Sequence, residues 1–585
     1  MTYKRSVLAE NRLLLSGNAA VIGLTDGRKE IFMSSNSLRM FFGSALVMAM
    51  VVAIGCAPAA QAPAGSPRTG ETTPGADQVN TKAPFPTKGE PKYGGVLTTA
   101  QTDDPPNFDL YSNSTTNMQK FIWAAYNNVV LFDPYDGGKI IPDVAEKWDI
   151  SSDGKAVTFH LHKNIKFHDG TPLTAKDVKF SLEFMKDPPK GVVSVRRDNL
   201  EPIEKIETPD DYTVKVTLKR PYSALLPMLA QGWMGIYSKD FIAAKGNDIM
   251  KKEVMGSGAF KLKQYIRGTS VEMEKTPGHW QTGVPYVDGV QVFFIPDRGT
   301  RFAALRTGQL LTLGVDGTEL GDVEKTLADK VYVERGTGIS WSTVNFNVDR
   351  KPFDSAKVRE AMSLAIDRRG YIKAIQDGDA QLGGYVPPSS PFALPAAEIE
   401  KLPGYGTDVE ASRKRAKELL AQAGYPDGFE SIQYVRKGSE DLAIYTQAEW
   451  KKIGINTTLK VLDSGPAYDA LTTRDYDLFP WGHGLALDDP DAHYAELYLC
   501  KAPRNYSGVC DNKVEQLFLA QSTELDPEKR KQKVWELEKY AVPLNIKIVL
   551  SWNNYTIATW NQVKGFTRGS SSYNNTHYKH VWIDK

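Results

Sequence analysis

The chain has 585 residues, 71 lysines and arginines against 70 aspartates and glutamates, and three cysteines. This length exceeds what one hydrophobic core ordinarily holds, so it predicts two or three lobes. The near-zero net charge supplies no basic surface for nucleic acid. A mean hydropathy of −0.37 excludes a protein with many membrane spans, and three cysteines exclude a disulfide-dense scaffold.

The N-terminal segment has the pattern of an export signal. Residues 40–55 carry no charge and follow Arg39 directly. Because about twenty apolar residues are needed to span a bilayer, this run fits the core of a signal peptide better than a membrane helix. We therefore expect residues 1–55 to be a signal peptide. The stretch before Met33 is long for such a signal, which favours Met33 or Met40 as the start of translation.

The apolar run ends in Ala53-Ile54-Gly55-Cys56. This sequence resembles a bacterial lipobox, whose cysteine is lipidated and becomes the first residue of the mature protein. The alternative is an ordinary signal peptide with an incidental cysteine. Residues 57–91 are rich in Ala, Pro, Gly and Thr and contain almost no large apolar side chains, so they cannot offset the entropy lost on ordering. We expect 56–91 to be a lipidated cysteine followed by a disordered tether.

The other two cysteines, Cys500 and Cys510, form an even pair once Cys56 is assigned to lipid. Exported proteins keep their disulfides, so we expect a bond between them, with two buried free thiols as the alternative. The sequence has no CxxC motif or close histidine cluster beside them, which argues against a metal site.

From Tyr93 onward the composition is that of a globular protein in which strands and helices are mixed. Alternating apolar residues predict the strands, and apolar periodicity with capping residues predicts the helices. In chain order, the predicted elements are strand 94–100, strand 155–162, helix 174–185, strand 212–218, strand 287–295, helix 358–366, helix 413–423, strand 453–461 and helix 526–541. This order predicts the α/β or α+β class.

Motifs of common enzymes are missing from the sequence. It contains no GxxxxGK[ST] phosphate loop, no GxSxG nucleophile elbow and no HExxH zinc helix. His160 and His162 share a strand face and could in principle bind a metal, but exposed strand positions are the simpler interpretation. The pairs Asp103-Asp104 and Asp488-Asp489 suit acid–base chemistry, yet adjacent carboxylates are common in loops. We expect a binding protein without catalytic residues, cofactor or metal.

The strongest pattern lies at residues 142–180. Trp148 is followed by a Ser-Ser-Asp-Gly turn at 151–154, a Thr-Phe-His-Leu strand at 158–161 and the sequence FHDGTPLTAKDV at 167–178. This ungapped stretch closely resembles the signature of family 5 extracytoplasmic solute-binding proteins. That family serves ABC importers and includes dipeptide-, oligopeptide- and nickel-binding proteins.

Other segments resemble the same family, so the resemblance covers about residues 92–570. They are 256–260, 278–280, 344–347, 352–368, 416–429 and 505–508. The resemblance implies an α/β, two-lobed periplasmic-binding-protein-like fold of type II that closes on its ligand, with an extra subdomain inserted in lobe I. The expected divisions are lobe I at 92–124, 208–338 and 546–585, the inserted subdomain at 125–207, and lobe II at 339–545.

The resemblance leaves the solute open. In peptide binders of the family, an aspartate pairs with the α-amine of the peptide. Aligned without gaps on residues 476–490, this chain has His483 at the family's tryptophan position and Ala486 at the aspartate position. Alanine cannot neutralise a buried ammonium, unless Asp488 or Asp489 replaces the aspartate from a shifted loop. The solute is therefore peptide-like, or else an oligosaccharide, a metal chelate or another small organic molecule.

Position within the family nominates nine ligand-binding candidates. They are Asp104, Asn107, Trp233, Trp341, Asn345, Tyr385, Trp481, His483 and Asp488. Trp233, Trp341, Trp481 and Trp552 could stack on a sugar or an aromatic ligand, but packing in the core is the simpler interpretation of each.

The resemblance implies an extracytoplasmic, monomeric lipoprotein that is anchored to the cell membrane only through lipid. It would deliver a small solute to the permease of an ABC importer. Because the chain has no phosphate loop, the ATPase must be a separate subunit. A hydrolase on the same fold is the rival of a different class, and it predicts turnover of the ligand.

Overall fold

The computed structural model describes residues 90–113, 118, 120–135, 139–485, 487–568 and 575–585. The predicted signal peptide, Cys56 and all but the last two residues of the predicted tether lie outside these ranges. Among the helices in these ranges, none is both long enough and apolar enough to cross a membrane.

The described residues form a mixed α/β structure. The strands are β1 (Val96–Gln101), β2 (Val130–Phe132), β3 (Ile140–Pro142), β4 (Ala145–Ile150), β5 (Ala156–Leu161), β6 (Ile203–Asp210), β7 (Thr213–Leu218), β8 (Phe260–Ile266), β9 (Ser270–Lys275), β10 (Gly289–Phe294), β11 (Thr312–Gly314), β12 (Val331–Phe346), β13 (Ala380–Gln381), β14 (Phe429–Arg436), β15 (Ile455–Leu462), β16 (Leu478–Gly484), β17 (Lys547–Trp560), β18 (Val563–Lys564) and β19 (Trp582–Ile583). The helices are α1 (Ala175–Lys186), α2 (Leu225–Leu229), α3 (Lys239–Lys245), α4 (Arg298–Arg306), α5 (Gly317–Thr326), α6 (Ala356–Ala365), α7 (Arg368–Ile375), α8 (Ala396–Ile399), α9 (Val409–Gln422), α10 (Glu440–Lys451), α11 (Ser464–Thr473), α12 (Pro490–Leu497), α13 (Asn512–Ser522) and α14 (Pro527–Ala541).

The nine elements predicted from the sequence are confirmed in type and approximate position. The capping signals act as expected, because Thr174 and Asp177 form a capping box on α1 and Asp526 accepts the Lys529 N–H at the start of α14. Helix α9 begins four residues before the predicted position. The Asp408 carboxylate caps it by accepting the Ala411 N–H at 2.9 Å.

The sequence signature at 142–180 builds an antiparallel sheet with the order β4-β5-β7-β6. Asp153 accepts from the Ser151 hydroxyl at 2.6 Å and the Lys155 N–H at 3.1 Å, and so closes the β4–β5 turn. Gly154 adopts φ +66° there, which favours glycine. Strand β7 lies beyond residue 207, so the sheet extends past the expected end of the inserted subdomain.

A second four-stranded sheet, with the order β1-β10-β9-β8, includes the first strand described. Strand β1 runs parallel to β10, while β9 is antiparallel to both of its neighbours. The two ends of the described chain meet beside this sheet. The Lys92 ammonium lies 2.5 Å from the Asp584 carboxylate.

A seven-stranded sheet with the order β11-β17-β12-β16-β14-β15, and with β13 on β17, links two halves of the molecule. The first half of β12 pairs with the second half of β17 beside β11, and the second half of β12 pairs with β16. We call the β11 side, together with the β1 sheet, lobe I, and the β14–β15 side lobe II. Strands β12 and β17 are thus the two crossovers between the lobes.

The pairing of β12 with β17 is interrupted between the lobes. The register passes from Thr337 opposite Asn554 to Trp341 opposite Trp552, so three residues of β12 face one of β17. A side chain at Gly338 would come within 2.8 Å of the Asn553 carbonyl oxygen, so glycine is required there. Such an irregularity bends a strand pair locally.

One buried arginine on helix α14 connects this helix to α12 and α13 in lobe II. The Arg530 guanidinium lies 2.6 Å from the Asp489 carboxylate and 2.9 Å from that of Asp491, and all three side chains are buried. Its Nε also donates to the Gln521 side-chain oxygen on α13. An ionised carboxylate is costly to bury unless it is paired, so the packing of α12 and α13 against α14 depends on Arg530.

We predict that Arg530→Ala lowers the free energy of unfolding by about 3–5 kcal/mol, because two buried carboxylates lose their partner. Urea denaturation followed by circular dichroism measures the change. The matched control is Arg415→Ala, which breaks an exposed pair with Glu418 and should cost less than about 1 kcal/mol. Equal, small losses in the two variants would contradict the role assigned to Arg530.

Candidate ligand-binding site

A cavity of about 710 Å³ lies at the crossover strands, within the range of roughly 300–1,000 Å³ typical of small-molecule sites. Lobe I contributes residues 99–102 at the end of β1, 312–317 from β11 into α5, and 554–557 of β17. Lobe II contributes residues 375–377 and Asp379, which follow α7. Because its walls come from both lobes, relative movement of the lobes changes the shape of this cavity.

The interruption in the β12–β17 pairing forms part of the cavity wall. Ser340 and Asn553, which lie in the interruption, both line the cavity. Next to them, the Asn554 side chain donates to the Asp379 carboxylate at 3.0 Å and joins the crossover to lobe II. The place where the lobes can bend is therefore also a place that can contact a ligand.

Six lysine, arginine and aspartate residues line the cavity, three of each sign. They are Lys120, Arg301, Arg568, Asp316, Asp377 and Asp379. Burial, and then the nearby charges of Arg301 and Arg568, lower the pKa of Lys120 to about 8. Asp316 caps α5 by accepting the Glu319 N–H at 3.0 Å. The cavity therefore offers partners for both ends of a zwitterionic solute.

Of the nominated residues whose side chains the structure describes, which are all except His483, none lines this cavity. Asp104 instead accepts from the Tyr265 hydroxyl at 3.0 Å and from the Gly268 N–H, and so holds the β8–β9 turn. Asn107 accepts from the Asn113 side chain at 2.6 Å within its own loop. Both side chains stabilise the segment that follows β1.

The nominated tryptophans of the crossover and lobe I are fully buried among other side chains. Trp233 packs edge-on against Trp123 at 5.3 Å, with the Arg196 guanidinium 4.7 Å from its ring. Trp341 packs against Trp552 at 4.6 Å where the two crossover strands meet. In this structure these rings contribute to the core between and within the lobes.

Strand β16 carries two of the nominated residues next to the crossover. Trp481 is largely buried between Phe479, at 5.5 Å, and the Arg436 guanidinium, at 5.1 Å. His483 pairs through its backbone with Trp341 on β12. Asn345, on β12, donates from its side chain to the Phe479 carbonyl oxygen at 3.2 Å. These contacts fix β16 against the crossover.

Tyr385 belongs to a buried polar cluster in lobe II. Its ring stacks on Tyr498 at 4.0 Å, and its N–H donates to the Glu538 carboxylate at 3.1 Å. The Tyr494 hydroxyl donates to the same carboxylate at 2.8 Å. Burial raises the pKa of Glu538 to about 7, although these hydrogen bonds oppose the rise.

The carboxylates at 488 and 489 have different surroundings. Asp489 is paired with Arg530 and is not available to a ligand. Within the described part of the chain, the buried Oδ1 atom of Asp488 has no hydrogen-bond partner. Burial raises the pKa of Asp488 to about 7; a hydrogen bond from Ser390 opposes the rise and the charge of Asp489 adds to it. Ala486 lies outside the described residues.

Cys500 and Cys510 are joined by a disulfide that links the segment after α12 to the chain two residues before α13. Cys56, the predicted lipidation site, lies outside the described residues. Within the described ranges, no group of three or more His, Cys, Asp or Glu side chains is placed to hold a metal ion.

Sequence reasoning missed the ionisable residues of the cavity because they are scattered over more than 400 positions. Lys120 lies between β1 and β2, Arg301 lies on α4 and Arg568 follows β18. No local motif connects them. Only the register of β12 and β17, which no short pattern encodes, would have shown that these segments meet.

Two lobes joined by paired crossover strands around a cavity define the class of the solute-binding proteins. Residues 139–505 match the sequence profile of the bacterial extracellular solute-binding proteins, family 5 Middle. The chain belongs to this family, and its fold is the two-lobed type II periplasmic-binding-protein fold.

Relatives cover most of the described chain. The dipeptide-binding protein of Escherichia coli (strain K12) is 27% identical over 446 residues, which are 70% of this chain and 80% of the relative. The DppA periplasmic binding protein from Helicobacter pylori, solved with the peptide STSA, is 26% identical, with a TM-score of 0.74 over 84% of this chain and 99% of that one. AgaA from A. tumefaciens R10, solved with agropinic acid, is 28% identical, with a TM-score of 0.71 over the same shares.

We predict that Asp488 makes the protein less stable as pH rises. Its folded-state pKa of about 7 lies above the unfolded value of about 4, so the folded state holds a proton that the unfolded state has lost. The associated stability is complete below pH 4 and is lost as pH rises through 7.

Melting temperatures of the wild type and Asp488→Asn, measured from pH 5 to pH 8, test this prediction. As pH rises from 5 to 8, the melting temperature of the variant should increase relative to that of the wild type by on the order of 1–3 °C. Asp427→Asn, which removes an exposed carboxylate, is the control. The difference between its melting temperature and that of the wild type should stay the same across this pH range. A parallel profile for Asp488→Asn would show that Asp488 titrates normally.

Proposed function

We propose that the protein is the extracytoplasmic binding subunit of an ABC importer, which captures a peptide-like solute between its lobes and delivers it to the permease. The observation that carries this proposal is the 710 Å³ cavity, whose walls come from both lobes at the crossover strands. A solute held there contacts both lobes, so it favours the closed form over the open one. The permease can then distinguish loaded from empty protein.

Contacts far from the crossover are consistent with closure. The Ser223 N–H and hydroxyl both donate at 3.0 Å to the Ser522 carbonyl oxygen, which joins the segment after β7 to lobe II.

A peptide-like solute agrees with the charges of the cavity and with the relatives. The dipeptide-binding protein of E. coli and the H. pylori protein solved with STSA are named for peptides. A short peptide carries an ammonium and a carboxylate, and the cavity wall carries both cations and carboxylates.

We assign the peptide ammonium to Asp488, which does not itself line the cavity, so that the bound peptide extends from the cavity past Ser340 to reach it. Asp489 is held by Arg530, whereas Asp488 has an unpartnered, buried oxygen among the described residues. The loop that carries Asp488 begins where the Leu485 N–H donates to the Ile339 carbonyl oxygen at 2.9 Å, one residue before cavity-lining Ser340. A ligand ammonium would supply the counter-charge that Asp488 lacks.

A non-peptide solute is the second candidate, and one observation favours it. Ala486 stands where peptide binders of the family carry aspartate, and AgaA, with a similar fold, was solved with agropinic acid. The transport role is the same for either solute. The protein acts as a monomer, binds no nucleic acid and releases its ligand unchanged, while ATP is hydrolysed by a separate subunit.

We predict that short peptides with a free amine quench or enhance tryptophan fluorescence, and that N-acetylated versions bind at least about 30-fold more weakly, because a buried charge pair is lost. Asp488→Asn should remove this discrimination, whereas Asp427→Asn should keep it. Discrimination that survives Asp488→Asn would refute the assignment to Asp488. No response to any peptide in a pool, with co-purifying ligand identified by mass spectrometry as non-peptide, would refute peptide capture.

We propose that Cys56 anchors the protein by a covalent lipid. Cells that express the protein and are fed a labelled fatty acid should incorporate label into the wild type. Cys56→Ala should lose the label and appear in the soluble extracellular or periplasmic fraction, since a membrane anchor needs the lipid chain. The control Cys500→Ala removes a different cysteine and should keep the label. Unchanged labelling of Cys56→Ala would refute lipidation there.

A further inference from the structure

The sheet built by the sequence signature, with the order β4-β5-β7-β6, is attached to lobe I. The backbone N–H of His168, in the segment after β5, donates to the Gly256 carbonyl oxygen at 2.8 Å. The ring Nε2 of the same histidine lies 3.2 Å from the Gly258 carbonyl oxygen. Both glycines lead into β8, which belongs to the β1 sheet. We therefore expect the signature sheet to move together with lobe I.

Two segments that connect strands of this sheet contact lobe II outside the crossover. The Ser223 N–H and hydroxyl both donate to the carbonyl oxygen of Ser522, the last residue of α13. In the β4–β5 turn, a side chain at Gly154 would collide with the Leu525 Cδ1 atom and would come within 3.4 Å of the Pro221 Cβ atom. The Leu525 side chain therefore lies directly against the backbone of the turn.

Tyr222, between these contacts, is buried against the charged cluster of α12 and α14. Its side chain is 7% exposed. Burial, and then the charges of Asp491 and Asp489, raise the pKa of Tyr222, while the charge of Arg530 opposes the rise. The segment after β7 therefore faces the same helices of lobe II that Arg530 holds together.

The contact with Leu525 accounts for the glycine at position 154 better than the turn alone does. The backbone there has φ +66°, a conformation that asparagine also adopts. The turn by itself therefore permits asparagine. A side chain of any size, however, would occupy the space that Leu525 takes. Glycine at 154 thus serves an approach between two separate parts of the fold.

We propose that Gly154 and residues 221–223 form a closure contact with Ser522 and Leu525, and that Leu525 sets how firmly the lobes close on a solute. This inference rests on the proposed function only in taking closure of the lobes as the step that holds the solute. The closure contact joins protein groups only, so it acts with or without a solute. It raises the affinity for every solute by the same factor, because it stabilises the closed form itself.

Pulsed electron paramagnetic resonance of the full chain tests this proposal without a solute. Spin labels are attached at Glu204→Cys on β6 and Glu536→Cys on α14, which are exposed positions, in a Cys56→Ala background. The chain with Leu525 intact should show a short and a long distance. Leu525→Ala should lower the ratio of short to long distances at least about threefold, because apolar contact is lost, and Leu525→Met should keep it.

Leu519→Ala is the matched control for Leu525→Ala. Leu519 lies on α13, and both leucines are 47% exposed. The control should leave the ratio of distances unchanged. Equal falls in the two variants would overturn the proposal, and so would a chain that shows only the long distance when Leu525 is intact.

A double-mutant cycle separates the closure contact from the turn. Gly154→Asn should lower the ratio of short to long distances when Leu525 is present, because the new side chain blocks Leu525. It should have no further effect in Leu525→Ala, since effects of groups in contact are not additive. Independent, additive effects would mean that Gly154 serves only the turn, and would overturn the proposal.

The affinity for tri-alanine, measured by isothermal titration calorimetry, connects the closure contact to solute binding. Leu525→Ala should raise the dissociation constant by about the factor by which it lowers the ratio of distances, and Leu519→Ala should not change it. An unchanged affinity in Leu525→Ala would overturn the role of Leu525 in holding the solute. If tri-alanine does not bind the wild type, its capture is refuted and the spin-label distances decide on the closure contact. Circular dichroism confirms that each variant is folded before its result is counted.

Discussion

The antiparallel pairing of β12 with β17 is the contact on which the lobes and the cavity depend. These strands have 16 and 14 residues, and their backbone hydrogen bonds carry one sheet from β11 in lobe I to β16 in lobe II. The pairing is broken between Thr337 and Trp341, and Ser340 and Asn553 in this break line the cavity. A solute there touches the strands that bend, so its binding and the angle between the lobes are coupled.

Two of the lobe II residues nominated from the resemblance, Tyr385 and Asp488, lie in loops that a single helix holds in place. Helix α14 presents Arg530 to Asp489 and Asp491, and, two turns later, Glu538 to the backbone of Tyr385. One helix thus fixes both the loop at 385 and the loop at 487–491. Buried charges of this kind contribute little net stability, but they specify one arrangement of the loops. In that arrangement Arg530 pairs with Asp489 and Asp491 and not with Asp488.

Local sequence information predicted local structure well and the cavity poorly. Alternation and capping residues located strands such as β5 and helices such as α1, because those patterns act within a few residues. The family signature at 142–180 was equally informative about fold, since Asp153 and Asp169 accept hydrogen bonds from residues two positions away. This signature segment is separated in sequence from the segments that line the cavity. The cations at 120, 301 and 568 meet only through pairing between distant strands, which no short pattern records.

The ion pair between Lys92 and Asp584 joins the two ends of the folded body on lobe I. Both ends therefore leave the molecule from the same side of the crossover strands, and the chain enters lobe II only through its middle. Under the proposed anchoring through Cys56, the attachment would therefore reach lobe I first, and lobe II would be connected to it along the chain only through the crossover strands β12 and β17. An attachment at the N-terminus would then hold lobe I without opposing closure of the cavity.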